Sequence, residues 1–156
     1  MAKGYGMKWY GKKVFTLATK ANIEAMKLAT KVVEADVKKN FTLQGTGKAR
    51  RRTKDGKVHR ASKPKQPPAI DTGTLRASIM SEVKIEGMSV NGRVGPDIKY
   101  IANELAKRES VGTDVNYGYY LEVGAPKINL APRPFLVPAL KRQRRKILRI
   151  FQAANK

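Results

Sequence analysis

The chain has no cysteine, a single histidine, 12 acidic residues against 33 basic ones, and no apolar run of membrane-spanning length. Without cysteine, disulfides and thiolate metal sites are excluded. His59 stands alone in a polar, basic stretch, so neither a metal centre nor a Ser-His-Asp triad has a ligand set to draw on. No stretch approaches the roughly 18 apolar residues that a bilayer span requires. The opening segment, MAKGYGMKWYGKK, lacks the apolar centre of a signal peptide. The expectation is a soluble chain made in a cytoplasm. The few acids are scattered singly, and no paired carboxylates stand out. Gly45-Thr46-Gly47-Lys48 lacks the preceding apolar strand and the spacing of a phosphate loop. These absences point away from an enzyme, and no cofactor, metal or small-molecule substrate is expected.

What is present is charge. The formal net charge is +21 over 156 residues, which predicts attraction to polyanions or to acidic protein surfaces without choosing between them. The length suits a single domain, 1–156, with room for a core.

Residues 10 to 40 read as one long helix. Val14, Leu17, Ala18, Ala21, Ala25, Leu28, Ala29 and Val32 recur at three- and four-residue steps, and no Gly or Pro falls between Lys12 and Phe41. Ile23, Met26, Val33 and Val37 lie partly off that stripe. They suggest either contacts on two sides or one broad core face.

The segment 44–69 contrasts sharply. Nine basic residues lie from Lys48 to Lys65, against the single acid Asp55, and apolar residues are almost absent. It is expected to be a long basic mobile arm, with a short hairpin around Asp55-Gly56, because it cannot bury enough surface to offset its ordering entropy. The reading is either a solvated insertion or a polyanion-binding arm, with Arg50, Arg51, Arg52, Lys54, Lys57 and Arg60 as its contacts.

Beyond it, Asp71 or Thr72 is placed to cap a short helix that carries Leu75 and Ile79 on one face. Val83 and Ile85, then Val90 and Val94, alternate with polar residues. With Gly87 and Asn91-Gly92 as separators, they predict antiparallel strands and tight turns. Val94-Gly-Pro-Asp-Ile-Lys-Tyr100 is echoed by Val111-Gly-Thr-Asp-Val-Asn-Tyr117, each copy reading as a strand end, a turn and an extended run. Ile101 to Ser110 is expected to form two helical turns, and 117–123 is left open between strand and helix. Pro132, Pro134 and Pro138 predict an extended arm over Ala131–Phe135 that passes abruptly into a helix, with Pro138 tolerated in its first turn. That helix is amphipathic. Leu136, Leu140, Ile147, Leu148 and Phe151 lie on one face, and Arg142, Arg144, Arg145 and Arg149 lie among the others. No acid follows Glu122.

Asp71-Thr72-Gly73 invites comparison with retroviral-type aspartic proteases, where two such aspartates share a proton. Pro67-Pro68 is poorly suited to the required strand, and Arg76 would lower a pKa that the mechanism needs raised. The same residues make a helix cap. A nucleic-acid platform would interleave aromatics with its cations for stacking. Tyr117, Tyr119, Tyr120 and Phe135 all lie outside the two basic clusters.

Three blocks carry a resemblance. They are Asp71, Thr72, Gly73, Leu75, Ser78 and Ile79; then Tyr117, Glu122 and Gly124; then Pro134, Phe135, Leu136, Pro138 and Ala139. In this order and spacing the chain resembles the tail-completion or neck protein family of long-tailed bacteriophages, over about residues 8 to 152. Gly118 stands where such proteins usually have alanine. The resemblance implies a non-enzymatic virion part made in the host cytoplasm. It would act at the head–tail junction as a ring, sixfold by that context. Its partners would be its own copies, other neck and tail proteins, and packaged DNA through charge. The alternatives are a standalone basic nucleic-acid-binding protein and, remotely, the protease. The expected architecture is α+β: a long N-terminal helix on a small, mainly antiparallel sheet, a long basic loop and a C-terminal amphipathic helix. Pro134-Phe135-Leu136 is expected to lock the last helix onto the sheet. Glu122 is expected to pair with Arg133 or with a neighbouring subunit.

Overall fold

A computed structural model describes residues 11–43, 45–47, 49–52, 58–86, 89–107 and 116–155, with the backbone alone at 11–18, 49–52 and 59. The architecture is α+β. Helix α1 (Gly11–Asn40) is 30 residues long, a rod of about 45 Å. Lys38 and Lys39 in its last turn suit the negative end of the helix dipole. Its buried line is Ala25, Ala29, Val33, Val37 and Phe41, at steps of four. This corrects the stripe read from the sequence. Leu28 is 59% exposed, while Val33 and Val37 belong to the core. The helix packs on two sides within one chain, against α5 (Leu136–Ala154) and against the hairpin of β3 (Ile79–Glu86) and β4 (Ser89–Pro96).

The β3–β4 register runs without a break from Ile79↔Pro96 to Glu86↔Ser89. Asn91-Gly92, expected to be a turn, lies inside β4, opposite Lys84 and Val83. The reason is a close approach to α1. A Cβ on Gly92 would come within 2.5 Å of Met26 Sδ and 2.6 Å of Thr30 Cγ2. Glycine here makes room for a helix rather than for a turn. The turn expected at Gly87 lies outside the described residues.

A second antiparallel pair, β1 (Ala49–Arg52) and β2 (Val58–Arg60), occupies the basic segment. Its two strands form a ladder separate from the antiparallel β3–β4 sheet. The expected Asp55-Gly56 turn lies outside the described residues. The foot of this segment is tied to the body. Thr42 N–H donates to the Pro68 carbonyl, Ile70 N–H to the Thr42 carbonyl, and Lys65 N–H to the Pro132 carbonyl.

Helix α2 (Thr74–Ser78) is shorter than expected, because Ile79 already begins β3. α3 (Ile98–Lys107) replaces the extended run expected before Tyr100. The Asp97 carboxylate starts it by accepting the Lys99 and Tyr100 amides at 2.9 and 3.4 Å. The second copy of that echo, up to residue 115, lies outside the described residues. α4 (Tyr117–Val123) resolves the open segment as helix. A short 3₁₀ turn, Pro126–Ile128, leads to the proline arm at 131–135.

The core gathers Val33, Val37, Phe41, Leu75, Ile79, Phe135 and Ala139, with Tyr117, Leu121, Leu136 and Ile147 packed around them. Phe41 and Phe135 meet at 5.4 Å between ring centroids with a 59° tilt, a favourable aromatic geometry. Phe135 therefore ties the start of α5 to Phe41, just past the end of α1, within a core that also holds Ile79 of β3.

Candidate interaction surface

The three motif blocks lie up to 68 residues apart in sequence and meet at one place. From the first, Leu75, Ser78 and Ile79 are buried, and Ser78 Oγ donates to the Leu75 carbonyl at 2.8 Å. Gly73 precedes α2 at φ 80°, where a side chain is strained. The residue at the N-cap position is Gly73, with no side-chain cap bond. Thr72 Oγ1 lies 2.9 Å from Thr74 Oγ1 and accepts the Thr74 amide at 3.4 Å. Asp71 is exposed in a bend, unlike the buried shared-proton pair that protease chemistry uses.

From the second block, Tyr117 packs on the core, and Gly118 brings α4 down onto Leu75 and Pro96. A Cβ there would lie 3.0 Å from Leu75 Cδ1 and 2.9 Å from Pro96 Cγ. Gly124 ends α4 at φ 86°, ψ 166°. Glu122 reaches the third block. Its Oε2 accepts the amides of Phe135 and Leu136 at 2.7 and 2.9 Å, and its Oε1 accepts that of Val137 at 3.0 Å. It serves as the N-terminal cap of α5, a role that the sequence reading assigned to no residue. Arg133, its expected partner, donates instead from Nε to the Ser62 carbonyl at 2.9 Å and from Nη1 to the Ala131 carbonyl at 3.1 Å. The Arg133 amide donates to the Leu121 carbonyl. The proline arm thus clamps α4 on one side and the foot of the basic hairpin on the other. Pro134 precedes the junction, and Pro138 sits in the first turn of α5.

The outer surface divides by chemistry. On α5, Arg142 is turned inward to α1, with Nη2 and Nε reaching Asp36 Oδ2 at 2.7 and 3.1 Å. Gln143 completes the link to Asp36 Oδ1 at 2.9 Å. Arg142 is therefore paired within the chain, with its side chain still 43% exposed. Lys141, Arg144, Arg145, Lys146 and Arg149 are exposed and have no acidic partner among the described residues. Val137, Leu140 and Leu148 stand half exposed on the same helix, on an edge that includes Arg144. On β3, Ile85 shares the inward phase of Ile79 and Val83 yet is 56% exposed, so one end of that apolar face is uncovered. In the basic hairpin, Arg50, Arg51 and Arg52 are placed by backbone in β1, Arg60 is exposed at the end of β2, and Lys54 and Lys57 lie outside the described residues.

Among the described residues, no group of three His, Asp or Glu is arranged to hold a metal ion. No helix among them is long and apolar enough to cross a membrane. Comparison with protein families, with curated proteins and with solved structures yields no match.

Proposed function

We propose that this chain is a structural virion protein of the bacteriophage neck, assembling as a ring at the head–tail junction. The observation that carries the proposal is the pair of uncovered apolar faces on a well-packed monomer, the Val137, Leu140 and Leu148 edge of α5 and the Ile85 end of β3. Large apolar side chains left half exposed on one helix edge suit an interaction site. A ring closed by heterologous contacts needs two different patches on each subunit. The resemblance in the three blocks supports the same reading. Most of its residues serve to build the monomer, so they bear on the fold, while the outer faces would bear on assembly.

The test is mass by light scattering at low and high salt, with wild type and with Leu140→Asp. A discrete ring-sized wild-type species that falls to monomer in the variant, with helical content unchanged, is the expected result. A wild type and a variant that both remain monomeric, alone and with neck or tail partner proteins, would remove the reading.

The exposed cations of α5, which lack acidic partners among the described residues, favour a second reading, a standalone nucleic-acid-binding protein. It predicts a monomer or dimer that coats duplex DNA and releases it steeply with salt.

A further inference from the structure

The β3–β4 sheet has two strands and therefore two edges. Each strand is eight residues long, about 27 Å at the usual rise. In an antiparallel ladder, successive residues point their N–H and C=O groups alternately at the partner strand and away from it. The phase is fixed just beyond Ile79↔Pro96, where the Asp97 amide donates to the Ser78 carbonyl at 2.8 Å. Ile79 and Pro96 are thus a pair that exchanges no bonds, as the missing N–H of proline requires. By alternation, Met80, Glu82, Lys84 and Glu86 bond to β4. Ser81, Val83 and Ile85 turn their backbone groups to the outer edge of β3, and Val90, Gly92 and Val94 do the same on β4. None of these backbone groups bonds to another element among the described residues.

An open edge is a template for a further strand, and native sheets blunt it with proline, a bulge, an inward-pointing charge, lysine or a very short strand. β3 carries no Pro or Gly, and its register with β4 is unbroken. The residues in its inward phase are Ile79, Ser81, Val83 and Ile85, none of them charged. Its one lysine, Lys84, lies 3.5 Å from Glu82 Oε1, so that charge is matched on its own strand. On β4 the one proline is Pro96, the last residue, and Gly92 is exposed in the middle of the strand.

We propose that the β3 edge of one copy pairs with the β4 edge of the next, joining the hairpins into one antiparallel sheet that closes with the ring. This rests on the assembly reading above and names its backbone contact. A second copy is the partner that fits, because the two edges are equal in length and run in opposite directions. Rotation about an axis along the strands sets each β4 antiparallel to the next β3, and closure leaves no edge free. Pairing β3 with β3 would leave both β4 edges open. Charge fits the same seam. Glu82 and Glu86 on β3 and Arg93 on β4 are exposed on the outer face. A register that sets Arg93 opposite the neighbour's Glu82 makes an opposite-charge pair and places Ile85 opposite Val90. A register that sets Arg93 opposite Glu86 places Ile85 opposite Val94. Either one covers the Ile85 side chain that the monomer leaves 56% exposed.

The experiment uses the full chain. Val83→Pro removes one outward N–H at an edge position, where proline is tolerated. Light scattering reads the assembly, and circular dichroism reads the fold. A second measurement does not depend on that variant. The chain has no cysteine, so single cysteines report the seam. Lys84→Cys is mixed in urea with Asn91→Cys for the first register, or with Gly95→Cys for the second, then refolded and oxidised. The expected result is a ring-sized wild type, a folded Val83→Pro that falls to monomer, and disulfide-linked dimers in one of the two mixtures but in no variant alone. Should Val83→Pro lose helical content, the disulfides decide. A ring without a mixed disulfide would overturn the edge pairing and leave the assembly reading standing, as would a folded Val83→Pro that keeps the ring. Disulfide dimers of Lys84→Cys alone would show β3–β3 pairing and overturn the proposal. A wild type that stays monomeric, alone and with neck or tail partner proteins, would remove both readings.

Discussion

The Glu122 carboxylate, at the end of α4, accepts the Phe135 amide at 2.7 Å, where α5 is about to begin. The first amides of a helix have no partner inside it, and Phe135 as N-cap residue offers no side-chain acceptor. Glu122 supplies one from 13 residues away, and its charge lies at the positive end of the helix dipole. Glu122→Gln keeps the shape but loses the charge and one acceptor oxygen. It should lower monomer stability by about 1–2 kcal/mol. The check is the urea midpoint of the monomer. An unchanged midpoint would mean that these bonds contribute nothing to folding.

Gly73 and Gly124 share a positive φ but not a predicted tolerance. Gly73 has φ 80° and ψ −9°, and a Cβ added there would meet nothing within 4 Å. Asn visits this left-handed region readily, so Gly73→Asn should cost about 1 kcal/mol or less. Gly124 has φ 86° and ψ 166°, a region essentially restricted to glycine. A Cβ there would also meet the Leu130 carbonyl oxygen at 3.1 Å. Gly124→Asn should cost about 3 kcal/mol or more, as strain and overpacking add. Equal thermal shifts in the two variants would contradict this.

Phe135 is 1% exposed and stacks at a tilt against Phe41. Phe135→Ala should cost about 3–5 kcal/mol through lost burial and a residual cavity. Phe135→Leu should cost less and remain folded, which keeps the comparison measurable. Circular dichroism with urea melts would show it. A folded Phe135→Ala monomer of wild-type stability would place Phe135 outside the core.

Burial pushes the Glu34 carboxyl up, but hydrogen bonds from Lys38, Ser81 and Lys31, with the Lys38 charge, outweigh it and hold the group at about 2 instead of 4.5. The Ser81 hydroxyl donates to Glu34 Oε2 at 2.6 Å and joins β3 to α1. Since the folded pKa is depressed, the contribution is complete above about pH 5 and disappears as pH falls towards about 2. It should amount to on the order of 2 kcal/mol, with the exposed lysine partners reducing its worth. Glu34→Gln should therefore be less stable than wild type at neutral pH and approach it in acid. Parallel stability curves across that range would refute the linkage.

Much of the fold was legible in the sequence because helices are encoded locally. An uninterrupted 3.6-residue period produced α1, and three prolines placed the arm at 131–135 and the start of α5. The errors arose where a residue's meaning depends on a distant neighbour. Asn91-Gly92 carries strong turn chemistry, yet the same missing side chain serves the approach of β4 to Met26 and Thr30. Leu28 belongs to an apolar period, but α5 and the β3–β4 hairpin cover the line through Val33 and Val37 instead. In the candidate surface, the exposed arginines of α5 were readable as charge. Arg133 and Ser62 were not, and the one local signal was an arginine confined between Pro132 and Pro134.

The sequence by itself determined the +21 charge, the absence of thiol chemistry, the helical segments and the proline-stiffened arm, because each follows from composition or from neighbours within a few residues. Only the tertiary structure decided that Glu122 caps α5, that Arg142 is engaged by Asp36, and that Arg133 ties the proline arm to the Ser62 carbonyl. These roles depend on which carbonyls, amides and carboxylates the packed chain brings within about 3 Å, a short-range geometry that residues 13 to 106 positions apart cannot specify pairwise.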